Sequence, residues 1–190
     1  MNIIIWPALI IIVFAIIILI YSYNLLISRR NAVQYAFASI DALLKKRFDL
    51  IPNLVSSAKE YMNYEKYVLN QLTQMRTQFK AGSLSPQELD SLDTQSNVLI
   101  KGIFATAENY PDLKASQNIL QLQAALNEVE EQISAARRAF NAAVMEYNNA
   151  VNHFPSNIIA NAYNFKFMDS FSIPEGERQK VDVKQLFKDQ

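Results

Sequence analysis

The spacing of apolar positions changes character along the chain. From Ile3 to Tyr23 nearly every position is apolar, and the first charged side chain after this run is Arg29. Further on the apolar residues thin to a helical repeat: Val33, Phe37, Ile40, Leu44, Phe48 and Ile51, at intervals of 4, 3, 4, 4 and 3. That is one face of a helix. No Gly or Pro separates it from the apolar run, so the pattern predicts one continuous rod. Apolar spacing resumes after Pro52 with Leu54, Val55, Ala58, Tyr61, Met62, Val68, Leu72, Met75 and Phe79. The most regular face is the last, from Ile119 through Leu122, Leu126, Val129, Ile133, Ala136, Phe140, Val144, Tyr147 and Val151 to Phe154. Its average interval near 3.5 predicts packing of the coiled-coil kind.

Punctuation between these faces is sparse. Ala81-Gly82-Ser83-Leu84-Ser85-Pro86-Gln87-Glu88 is the strongest turn. Gly82 suits the end of a helix, Ser85 with Glu88 forms a capping box, and Pro86 falls at the first helical position. Pro52 and Pro111 interrupt the two arms at similar distances from this turn. The expected fold is all-α: an N-terminal transmembrane helix continuing into an elongated antiparallel helical hairpin or bundle, kinked at both prolines that face each other. The competing layout, a compact up-down bundle with full reversal at Pro52, leaves almost no loop residues. Phe154-Pro155 ends the second arm, Ser156 is placed to cap a short helix from Asn157 to about Ala162, and Phe165, Phe167, Phe171, Ile173 and Val181 read as an extended tail lying along the bundle, with the part beyond Glu175 reading equally as a loose tail. The divisions are 1–28 for the anchor, 29–164 for the helical domain and 165–190 for the tail.

The run from Ile3 has the ~20 apolar residues that a ~30 Å hydrocarbon core demands. Trp6 at one end and Tyr21 and Tyr23 at the other stand where interfacial aromatics belong. No basic residue precedes it and no small-residue cleavage site follows, so an uncleaved anchor is expected rather than a secretory signal. Arg29 and Arg30 follow the run, with Lys45, Lys46 and Arg47 beyond. The excess of basic residues on that flank puts the helical domain in the cytoplasm and a short N-terminus outside.

Composition adds three points. Only three glycines occur, which disfavours a strand-rich fold. The formal net charge is zero, which argues against a general nucleic-acid binder. The charge is segregated, however: residues 24–81 carry nine basic and four acidic side chains, and residues 82–153 carry four basic and nine acidic. Exposed pairs contribute little, ~0.2–1 kcal/mol each. The segregation therefore specifies how the arms pair more than it holds them.

By order and spacing the chain resembles the LemA family of bacterial membrane proteins. The resemblance rests on Tyr23-Asn24, the Arg30-Asn-Ala-Val segment and the stretch from Ala36 to Val55, which contains Lys45-Lys46-Arg47-Phe-Asp-Leu-Ile-Pro-Asn-Leu-Val55. It continues through Tyr110 to Ala115, Leu122-Gln123, Ala135 to Asn141, Tyr147-Asn148 and Phe154-Pro155. Phe37, Leu43 and Ser56 depart from the family's usual Trp, Gln and Glu. The resemblance implies a single-span protein of the bacterial inner membrane with an elongated helical domain, and a membrane zinc metalloprotease as a partner it could serve as accessory subunit.

Candidate chemistry is scant. There is one histidine, His153, and no cysteine, short of what an ordinary zinc site needs. Glu128, Glu130 and Glu131 read as a solvated helix face. No glycine-rich phosphate loop occurs, and no cofactor or small-molecule substrate is expected. The most functional-looking cluster is polar: Asp41, Lys45, Arg47, Asp49, Pro52 and Asn53 on the first arm, with Pro111, Asp112 and Lys114 expected opposite. It reads either as partners for backbone groups freed by the prolines or as a docking surface. The function expected from these features is a non-enzymatic, membrane-anchored scaffold or adaptor that self-associates, bound to a lipid bilayer and forming a homo-oligomer.

Overall fold

The structure, a computed structural model, describes residues 2–59, 66–81 and 84–171. Every regular element among them is helical. Helix α1 spans Asn2–Lys59, α2 Lys66–Ala81, α3 Pro86–Ala107, α4 Pro111–Lys114, α5 Gln117–Asn152 and α6 Ser156–Ala162.

Helix α1 carries the apolar run and the first amphipathic face in one piece, as the lack of a turn signal predicts. Its 58 residues measure about 87 Å at 1.5 Å per residue. The helix continues through Pro52, which sits on its exposed side. There water can serve the carbonyl that the proline cannot bond.

Beyond α1 the layout differs from the expected hairpin. In a single first arm, Phe79 would lie about 46 Å from Phe48 along the helix axis. Instead their rings stack at 5.0 Å, and Arg76 reaches Asp49 at 3.7 Å. Helix α2 therefore returns along α1, and the chain reverses between Lys59 and Lys66 rather than at Pro52. The turn before Pro86 joins α2 to α3, and α3 heads away from the anchor again. The capping box forms as predicted: Glu88 accepts from the Ser85 N–H and hydroxyl, both at 2.8 Å, and the Glu88 N–H donates to Ser85 Oγ at 3.3 Å. Those bonds hold the Glu88 carboxyl below its usual range.

Pro111 opens α4, so the second arm is three helices, α3, α4 and α5. It does not face Pro52. Helix α5 runs antiparallel to α1 over most of its length, and three contacts fix the register: Arg29–Glu146 at 3.4 Å, Phe37–Phe140 at 6.0 Å and Lys46–Glu128 at 3.9 Å. Moving from Arg29 to Lys46 advances 17 residues on α1, and from Glu146 to Glu128 retreats 18 on α5. The equal pace places Asn53, the residue after Pro52, beside Asn118, Gln121 and Leu122. The result is an up-down bundle with a long α1–α5 pair as its spine.

The core is the set of stripes read from the sequence. Val33, Ile40, Leu44, Phe48, Ile51, Leu54 and Ala58 of α1 meet Ile119, Leu126, Val129, Ile133, Phe140, Val144, Tyr147 and Val151 of α5, all buried. Each such side chain contributes about 1.5–3 kcal/mol when fully removed from water. Phe154 ends the same stripe yet is 79% exposed.

Ser156 does not cap α6. Its hydroxyl donates back to the carbonyls of Ala150 and His153, at 2.6 and 2.9 Å, and so closes the end of α5. Past α6 the chain is extended from Phe165 to Phe171, as expected, and is laced to α5. Asn148 donates to the Met168 carbonyl at 2.9 Å and accepts its N–H at 3.0 Å. Asn141 treats Phe171 the same way, at 3.2 and 2.9 Å. Seven helical residues and three extended ones both cover about 10 Å. Asparagines seven apart therefore catch strap residues three apart, each through both backbone groups. The Tyr147 hydroxyl adds a bond to the Lys166 carbonyl at 2.9 Å. Ile173 and Val181 lie outside the described residues.

Each of these bonds contributes about 1 kcal/mol net. Replacing Asn141 and Asn148 together by Ala is expected to release the strap while the helices persist. Hydrogen exchange at the Met168 and Phe171 amides should accelerate by roughly tenfold or more. Unchanged protection there would show that Phe171 packing alone holds the segment.

Candidate functional site

The side chain that organises the middle of the bundle is Arg47. Helical spacing places it on the α1 face one position before Phe48, and it is 1% exposed. A buried guanidinium needs several acceptors. It donates to Asp93 of α3 and pairs with Glu130 of α5 at 2.9 Å. Asp93 is itself buried and accepts from Arg137 of α5 at 2.9 Å, while Arg137 also reaches Asp90 at 2.7 Å. Asn97 holds the other oxygen of Glu130 at 2.7 Å. Ser96, fully buried, donates to the Asp93 carbonyl at 2.8 Å. Three helices thus meet on two arginines and three carboxylates.

Desolvation pushes the Asp93 carboxyl above its ordinary range, and the Arg47 and Arg137 charges pull against that rise. The cluster continues outward through Arg137, whose guanidinium lies 5.6 Å from the Phe171 ring centre. Phe171 packs edge-on against Phe140 at 4.9 Å, and Phe140 touches Phe37. Strap, charge cluster and α1 are one contiguous assembly.

The polar candidates read from the sequence divide accordingly. Arg47 is the centre of the cluster, and its partners among the described side chains are Asp93 and Glu130. Glu130 is half-buried against Arg47 and Asn97, whereas Glu128 and Glu131 are exposed. Asp41, Lys45 and Asp49 line an open cavity of about 640 Å³ with Phe37, Phe48, Phe79, Lys80 and Leu89. Asn53 borders a shallower one with Ser57 and Asn118. Pro111 and Lys114 lie in α4, and the Asp112 side chain is outside the described ones. Among the described side chains, no bond or ion pair joins the first-arm residues to Lys114. Asp93, Asp90 and Arg137 escaped the sequence reading. Their signal was an Asp at a position where the α3 face of Leu89, Leu92 and Leu99 turns inward.

His153 ends α5 on the surface, with Nδ1 2.6 Å from the Asn149 carbonyl. Among the described residues no three His, Asp or Glu side chains lie close enough to share a metal ion.

One described helix is long and apolar enough to cross a membrane. The most apolar 18-residue stretch of α1 has a mean hydropathy of 2.7 and is only 11% buried. Helices α2, α3, α5 and α6 pack onto the remainder of that helix. The architecture is that of an all-helical bundle carried on a candidate membrane anchor. The LemA family model matches residues 36–185, and the chain belongs to that family. It is 30% identical to Protein LemA of Metamycoplasma hominis, covering 86% of this chain and 74% of that one. It is also 21% identical to the magnetosome proteins MamQ 1 and MamQ 2 of Paramagnetospirillum magneticum, over 90% of this chain and 72% of each of theirs.

Proposed function

We propose that the protein is a single-span scaffold of the bacterial inner membrane, with its bundle in the cytoplasm, that self-associates and supports other components without catalysing a reaction. The observation that carries this reading is α1. One uninterrupted helix supplies both a bare apolar rod and the central rib of the bundle, so the domain is held at a fixed distance along that helix from the apolar rod. Arg29 and Arg30 support the cytoplasmic placement. The relatives named after a cell structure rather than a reaction fit a supporting role.

The absence of cysteine makes the test clean. Single cysteines walked from Leu9 to Ile20 are expected to form oxidative cross-links in native membranes with helical periodicity, marking one face of a homo-oligomer. Monomer at every position would overturn self-association. A cysteine at Leu120, exposed on α5, should react with an impermeant maleimide only after the cytoplasmic side is opened. Labelling of intact cells would reverse the orientation.

A further inference from the structure

The exposed Phe154 breaks the rule its stripe otherwise obeys. It stands at the elbow between α5 and α6, where Ile158 and Tyr163 are exposed as well. This elbow is fixed against a particular level of α1. Phe154 borders a pocket with Tyr21 and Ser22, and Tyr163 lies 5.2 Å from Tyr23. That is the level where the apolar run ends. The run from Ile3 to Ile20 spans about 27 Å as a helix, close to the ~30 Å hydrocarbon core. Tyr21 and Tyr23 then fall among the headgroups, and the elbow with them.

We propose that the α5–α6 elbow is a second membrane contact, a foot whose Phe154, Ile158 and Tyr163 side chains enter the headgroup–acyl boundary of the bilayer that α1 crosses. The proposal rests on the anchor reading. Three further observations favour lipid as the occupant. Phe154 lines one pocket with Tyr21, which is itself exposed at the end of the bare apolar flank of α1. From residue 147 to 168 there is no acidic residue; Glu146, which lines the pocket with Phe154, is paired with Arg29 at 3.4 Å, and Arg30 and Lys166 are exposed. Aromatic side chains with basic neighbours are what the interface accepts. A domain seated on two contacts stands upright, whereas one on a single helix can swing.

Trp6 is the sole tryptophan, so a Trp6→Phe background accepts single reporters. The full chain is placed in bilayer nanodiscs whose lipids are brominated either near the headgroup or deep in the chain. Phe154→Trp is expected to be quenched about twofold or more by shallow bromines. Leu120→Trp, far along α5, should be indifferent to both. Phe14→Trp should respond to deep bromines. If Phe154→Trp behaves like Leu120→Trp while Phe14→Trp is quenched, the foot is overturned and the anchor stands. If Phe14→Trp is unquenched, the anchor itself fails. A blue-shifted but unquenched Phe154→Trp, whose shift vanishes as lipid is added in excess, would mean that a second copy covers the elbow and would overturn lipid contact.

Discussion

Replacing Arg47 by Met is expected to destabilise the bundle by about 3–5 kcal/mol at neutral pH, the usual loss when one member of a buried ion cluster is removed. The reason is the carboxylate left behind. Asp93 would keep Arg137 but lose the donor that approaches it most closely, in a site with almost no water. Thermal unfolding of the full chain in detergent, followed by circular dichroism, should show a midpoint lower by roughly 10 °C. The variant also has a predictable pH dependence. Burial raises the folded-state pKa of Asp93 above its unfolded value. A group raised in this way favours the folded state below its unfolded pKa, and that contribution is lost as pH rises through the folded pKa. Without Arg47 the opposing charge is weaker, so the folded pKa rises further and the window moves up. The penalty of Arg47→Met should therefore shrink as pH falls from neutral toward the acid range. A penalty that grows on acidification would mean that Asp93 is not the group left uncompensated. Adding Asp93→Leu should recover most of the loss, because the buried Asp93 charge is removed with its partner, while Glu130, 40% exposed, keeps Asn97 and water. Arg137 would retain Asp90.

This cluster shows what one sequence conveys and what it hides. The charge segregation was visible, and it is realised: the pairs of Arg29, Lys46 and Arg47 all run from the basic stretch to the acidic one. The apolar stripes were visible because helix geometry repeats them. The reversal before Lys66 was not, because Lys59 to Lys66 contains neither Gly nor Pro. Pro52, the conspicuous breaker, is absorbed within α1 because its ring lies on the exposed side. Periodicity also cannot tell Glu130 from Glu131: only the register of α5 on α1, set by distant contacts, decides which carboxylate meets Arg47. The strap was legible as extended chain, but its attachment was not, since asparagines on a helix look like ordinary solvated residues until a backbone lies across them.

The largest effect is expected in the bare part of α1. Ile12 and Ile16 are exposed in the middle of the apolar run and one turn apart. An arginine at the centre of a spanning helix is disfavoured by about 2.5–3.5 kcal/mol, whereas isoleucine there is favoured by a few tenths. Changing both to Arg should weaken integration by about 6–8 kcal/mol before snorkelling relieves part of it. That exceeds what Trp6 and the tyrosines can restore at the interface. The double variant is expected to leave the carbonate-resistant membrane fraction. Its bundle should survive the change, because the described part of α1 is exposed through Tyr21, apart from a half-buried Ile18, and is first buried at Ser22 and Leu26. The displaced protein should therefore remain helical, with the Asn141 and Asn148 strap still protected from exchange. Were the double variant to stay in the membrane fraction, the bilayer would not be what surrounds this helix. Were it to leave the membrane and also unfold, residues 6–20 would be contributing to the bundle itself, and the separation of anchor from domain would be wrong.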